Sequence, residues 1–282
     1  LTIQDSGTFT NNGTFTANGG TISLGNGSSF TNNATFNANT GSVSFPGSGT
    51  ISGNTTFNDV DIAGGVDFGT NSTIDGNLTI ESGGFVNTNP PTYSANSTLI
   101  YSDDGNTYGR GPEWSTTSGA GYPNNVTIKD NTTLNLGANG GTGTARKITG
   151  DLTVKAGSTL SLDIESMTEA LTVLGNFTNE GTTVLSSSSG GDLKLQGDFD
   201  DNGTFTANGR AVFFEGGSTQ NIDSNSDPLE INVMRINSGT EVIMNQNLEV
   251  TKTVDPLIFS NTSFLNLNGN NLTIGEDGTT SS

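Results

Sequence analysis

The apolar residues of this chain recur in short alternating runs. Thr14-Phe15-Thr16, Thr21-Ile22-Ser23-Leu24, Leu78-Thr79-Ile80 and Leu152-Thr153-Val154 each alternate an apolar residue with a small polar one. A period of two places one row of side chains inward and one outward, as on a half-buried strand. The runs are three to five residues long, and groups such as NNG, NGG, SGN and SGG separate them. Asn and Gly supply the left-handed backbone conformations that tight turns require. Strand starts are expected near residues 8, 14, 21, 29, 34, 42 and 50.

These strands belong to a repeat. TNNGTFTANGGTISL (10–24) and TNNATFNANTGSVSF (31–45) share nine of fifteen positions at an offset of 21. The same unit returns as FDDNGTFTANGRAVFF (199–214), with a shorter relative, FTNEGTTVL, at 177–185. Aligning them superposes Phe9, Phe30, Phe177 and Phe199. A second unit, of three short strands joined by turns, runs through 58–80, 124–154 and 232–250. Three short strands per 21 residues leave no room for helices and predict stacked coils. The expected fold is all-β, a right-handed parallel β-helix (solenoid) of about thirteen coils, roughly 21 residues and three strands each. An antiparallel sandwich also has many short strands, but does not repeat its sequence. The expected organisation is coils over 1–88, a departure over 89–123 that forms a lateral loop or modified coil, and further coils over 124–282.

Composition first argues the other way. Gly, Asn, Thr and Ser make up 150 of the 282 residues, and the net charge is −19. Such totals approach those of disordered chains. The periodic placement reverses this reading, because a thin inward column needs few apolar residues. The chain has no His and no Cys, which removes imidazole bases, thiolate nucleophiles, disulfides and the commonest zinc ligands. The acidity disfavours nucleic acid as a partner, and no apolar stretch is long enough to span a membrane as a helix. LTIQDSGTFT, at the start, does not resemble a signal peptide, so the chain reads as a processed product or part of something longer.

The motifs resemble those of a known group. VSFPGSGTISGNTTFNDVDIAGGVDFGTNSTIDGNLTIESG (43–83), FTNNATFNANTGSVSF (30–45) and YSANSTLIYSDDGNTYGRGPEWS (93–115) are similar to repeats of very large secreted surface proteins of the Bacteroidetes. The resemblance covers nearly the whole chain. It implies export by the type IX route, a place on the bacterial cell surface or in the medium, and an adhesive or structural role. The sorting domain of that family is not evident in the final GEDGTTSS.

Three features carry candidate chemistry. All four Tyr and the single Trp fall between residues 93 and 122. Tyr101, Tyr108, Arg110 and Trp114 are the candidate glycan-binding residues, since aromatic faces stack on sugar rings and guanidinium groups hydrogen-bond hydroxyls. The bland alternative is that these rings cover a widened coil. DFDDNG (198–203) matches the first half of a calcium loop, though its twelfth position is Gly209 rather than Glu. Asp198, Asp200 and Asp201 are therefore candidate calcium ligands on one corner, against the alternative of a solvated repeat turn. A polysaccharide lyase or hydrolase would need clustered carboxylates beside a base, and the nine basic residues read as scattered. Stacked outward Thr pairs, as ice binding needs, are broken where Asn37 replaces the second Thr. DIESMTEA (163–170) is expected to make one helical turn. The expected function is an extracellular, non-catalytic structural or adhesive segment needing no cofactor, except calcium if the acidic corner binds it. Its expected partners are other surface proteins, glycans or copies of itself, the last because neither end shows a polar cap.

Overall fold

A computed structural model describes residues 1–115, 117–252 and 254–275. The chain is an all-β solenoid of parallel strands, about 12 turns of roughly 22 residues each. It divides into two compact units, Leu1–Leu134 and Asn135–Ser282. Residues 89–123 thus belong to the first unit, and so do 124–134. Residues 276–282, most of the terminal stretch noted above, lie outside the described residues.

In the first unit, seven strands from Thr2–Ile3 to Asn125–Ile128 line up in chain order as one parallel sheet. A second sheet joins Thr8–Asn11, Ser28–Asn32, Gly49–Gly53, Gly65–Asp67 and Phe85–Val86. The third wall is made of Thr14–Thr16 with Thr35–Asn37, and of Thr55–Phe57, Ser72–Ile74 and Thr92–Tyr93. The second unit repeats this plan, with six strands from Leu152–Val154 to Phe264–Asn266 in its first wall. Each strand pairs with the equivalent strand of the next coil, so alternation along the chain becomes an inner and an outer row along the stack.

The inner row is the core. Phe9 pairs with Phe30 and Phe177 with Phe199, the registers that the repeat alignment predicts. Phe30 stacks on Phe9 at 4.8 Å and meets Phe36 and Phe57 edge-on at 5.2 Å each. The offsets vary, from 17 residues for Val43 with Val60 to 27 for Tyr101 with Ile128. Longer turns absorb the difference, and the chain therefore makes fewer coils than a strict 21-residue period gives.

Asn and Asp side chains tie the corners of successive coils. The Asn26 N–H donates to Asp5 Oδ1, and the Ser48 N–H donates to Asn26 Oδ1, both at 2.9 Å. Inside the wall, buried Asn11 donates to Asn32 Oδ1 at 2.8 Å. Each such bond contributes about 0.5–1.5 kcal/mol and spares a turn amide from going unpaired. Within residues 163–170, 163–166 form a hydrogen-bonded turn and 168–169 a bend, in place of the expected helical turn. The Met167 N–H reaches Leu162 O at 2.9 Å and the Met167 side chain is fully buried, so core packing takes precedence over local helix geometry there.

Candidate functional site

The aromatic segment folds inward. In Thr98–Ser102, Leu99 and Tyr101 share the inner face of the strand. Pro112 opens a 3-10 turn, Pro112–Trp114, after an extended Gly111, because its ring fixes φ at a helical value and its missing N–H is not needed there. Trp114 and Tyr101 have no exposed surface, Arg110 keeps 4% and Tyr108 7%. The surface sugar platform is therefore corrected. Tyr101, Tyr108, Arg110 and Trp114 are brought together, but as a buried cluster with no ring face open for stacking. The Tyr101 and Tyr108 rings lie 5.2 Å apart, and Arg110 Nη1 donates to Gly111 O at 2.8 Å.

Glu113 lies within this cluster. Its Oε1 accepts from Tyr101 Oη at 3.1 Å and from the Gly111 N–H at 2.7 Å. Its backbone carbonyl accepts from Tyr93 Oη at 3.1 Å. Glu113 Oε2 and Tyr108 Oη are buried in the same cluster. Burial raises the Glu113 carboxyl above the ordinary carboxylate range, against the lowering effect of its hydrogen bonds and of Arg110. Burial, then the Glu113 charge, raises the Tyr93, Tyr101 and Tyr108 hydroxyls.

The raised Glu113 value has a consequence for stability. Between the unfolded and the raised folded value the native state holds the proton more tightly, so stability falls as pH rises through that window. Asp61, Asp200 and Asp201 act in the same direction, and Asp130 and Asp163 in the opposite one. The Glu113→Gln variant keeps an acceptor for Tyr101 and Gly111 but does not ionise. Urea midpoints measured from acidic to neutral pH are expected to fall less steeply in the variant than in the wild type. Equal slopes would show that the Glu113 carboxyl is not perturbed by burial.

The acidic corner does not converge either. Asp198 is a corner residue: its Oδ1 accepts the Asn221 N–H at 2.7 Å, while its own N–H donates to Asn176 Oδ1 at 2.9 Å. The Asn176 N–H in turn donates to Asp151 Oδ1 at 2.7 Å. In Phe199–Asp201 the alternation turns Asp200 outward, where Asn202 donates to it at 2.6 Å. Asp201 points inward, 2% exposed, and accepts from Asn179 at 2.6 Å. Adjacent strand residues face opposite ways, so these three carboxylates cannot share one ion. This corrects the calcium-corner expectation. Among the described residues, no three His, Cys, Asp or Glu side chains are grouped to hold a metal.

The second unit gathers a different set. One wall joins Arg146–Ile148, Leu171–Val173, Leu193–Leu195, Ala211–Phe214, Val233–Ile236 and Leu257–Phe259. Its register aligns Lys147, Thr172, Lys194, Phe213, Arg235 and Ile258 in one outward row. Lys194 Nζ lies 5.4 Å and Arg235 Cζ 5.9 Å from the centroid of Phe213. Each contact contributes about 0.5–1 kcal/mol at an exposed site and restrains a long side chain. Beside Phe213 is a shallow groove of about 260 Å³, which Arg210, Arg235, Lys252 and Asp192 help to line. The Asp192 carboxylate accepts the Ala211 N–H at 2.9 Å. Five of the nine basic residues of the chain thus lie on or beside this face. The ion pairs found among the described residues, Lys129–Asp130 and Lys155–Glu180, do not involve Lys194, Arg210, Arg235 or Lys252.

No protein-family model, no curated protein and no solved structure matches the chain. The site is therefore argued from its residues alone. The sequence reading missed the basic row because its members lie 19 to 25 residues apart, with no fixed period. A local signal was present in LKL and VMRI, where a base occupies an outward position between inward apolar residues; in RKI the outward Lys147 stands between inward Arg146 and Ile148.

Proposed function

We propose that this chain is a non-catalytic structural or adhesive segment of an extracellular bacterial surface protein. The observation that supports this reading most is the coil-on-coil register within each unit. Inner rings, walls and corner amides all repeat in step, which suits a scaffold that presents a long outer surface rather than one enclosed pocket. The small hydroxyl and amide side chains on that surface suit hydration and many weak contacts. Glycan binding is the second reading, and the basic face of the second unit favours it rather than residues 93–122. Candidate partners are other surface proteins, glycans or copies of the chain. No bound cofactor enters this proposal.

Antibodies against the chain are expected to label intact producing cells, and externally added protease is expected to abolish the signal. Labelling that requires permeabilisation would overturn the surface assignment.

A further inference from the structure

We infer that the outward row centred on Phe213 is a binding track for an extended anionic polysaccharide, one bearing carboxylate or sulfate groups. The inference deepens the adhesive reading above and rests on it.

Three observations carry it. The first is charge placement. A chain of net charge −19 has only nine bases, yet Lys194, Arg210, Arg235 and Lys252 surround one ring and its groove. No ion pair neutralises these four among the described residues. A solvated surface has no need of such segregation, since an acidic protein has carboxylates to spare for every cation. The second is order. Phe213 holds Lys194 on one side and Arg235 on the other, so both cations are positioned before a ligand arrives and less entropy is lost on binding. In addition, Arg210 Nε is buried without a hydrogen bond beside the groove. The third is spacing. Successive coils lie about 4.8 Å apart, and the row carries Lys147, Lys194 and Arg235 on every second coil. Cations thus recur at about 10 Å along a straight line.

That spacing selects the polymer. Duplex DNA carries one charge per about 1.7 Å, far denser than this row can match. Its field would also meet the surplus carboxylates of the chain. A polysaccharide with one acidic group per sugar or per disaccharide is charged sparsely enough, and it is extended and hydroxyl-rich. At physiological salt, screening over about 8 Å confines electrostatics to the track and its immediate neighbours. Local cations then act on the ligand while distant carboxylates do not.

The test uses the full chain, immobilised at physiological ionic strength. The probes are polygalacturonate, with one carboxylate per sugar, kappa-carrageenan, with one sulfate per disaccharide, unmodified dextran and a single-stranded oligonucleotide. One or both acidic glycans are expected to bind, and the preferred one identifies the anionic group; dextran is not expected to bind. The double variant Lys194→Gln/Arg235→Gln is expected to weaken binding at least about tenfold, equivalent to about 1.4 kcal/mol. Its thermal melt is expected to fall by no more than a few degrees, the cost of losing two exposed cation–π contacts, with the fold retained because both side chains project outward. The control variant Lys129→Gln/Lys155→Gln changes net charge equally but off the track, and is expected to bind like wild type. The track is refuted if neither acidic glycan binds, if dextran binds as well, if the control loses as much as the double variant, or if the oligonucleotide binds more tightly than either glycan. Glycan binding by a chain that fails surface labelling would refute the location and leave the track standing. Surface labelling without glycan binding would do the reverse.

Discussion

Replacing Trp114 with alanine is expected to destabilise the first unit by about 3–5 kcal/mol, the usual cost of emptying a fully buried Trp site. The indole has no exposed surface and sits at the end of the Pro112–Trp114 turn. Arg110 Nη1 reaches the carbonyl of the same residue at 3.4 Å, so collapse of the turn would also disturb the guanidinium beside Glu113. Several interactions converge on the site, and the cavity is poorly placed to close. Circular dichroism melts and urea titrations read the effect directly. Wild-type stability combined with lost glycan retention would instead restore the sugar-platform reading of residues 93–122.

Phe30→Ala is expected to cost about as much, again about 3–5 kcal/mol. Phe30 is fully buried and touches three rings: Phe9 face to face, Phe36 and Phe57 edge-on. Aromatic pairs add about 0.5–1.5 kcal/mol beyond area burial, so the loss spreads to both neighbouring coils. Phe30→Leu, which conserves most of the volume, is expected to recover all but about 1.5 kcal/mol. Urea midpoints of the two variants measure the difference. A loss below about 1 kcal/mol for Phe30→Ala would mean that the coils do not depend on this inner row.

Much of this fold is written in the local pattern. Strands begin at residues 8, 14, 21, 28, 35, 42 and 49, within one residue of the starts that the alternation predicts. The pairings of Phe9 with Phe30 and of Phe15 with Phe36 follow from the 21-residue offset. The burial of Tyr101 was legible too. It stands two residues from Leu99 and shares its face, and a strand that hides one hides the other. Reading the aromatics by composition, as sugar-stacking groups, passed over that parity. The same holds for Asp198. Its repeat equivalent is Asn176, and both serve as corner acceptors for the next coil. The acids of DFDDNG suggested a calcium loop only when read apart from their repeat.

The sequence by itself determined the solenoid, its period and its inner rows, because these rest on interactions between equivalent residues of neighbouring coils, and equivalence is visible as repetition. It also determined what the small polar residues do, since a turn amide one coil on needs an acceptor at a fixed place. Only the tertiary structure decided where the cations fall. Lys147, Lys194 and Arg235 are separated by turns of unequal length, and no period links them. They become neighbours through strand register, which fixes an outward row whatever number of residues the turns between contain. The same register turned the Tyr101 to Trp114 cluster into core and left the Phe213 face as the charged surface of an otherwise acidic chain.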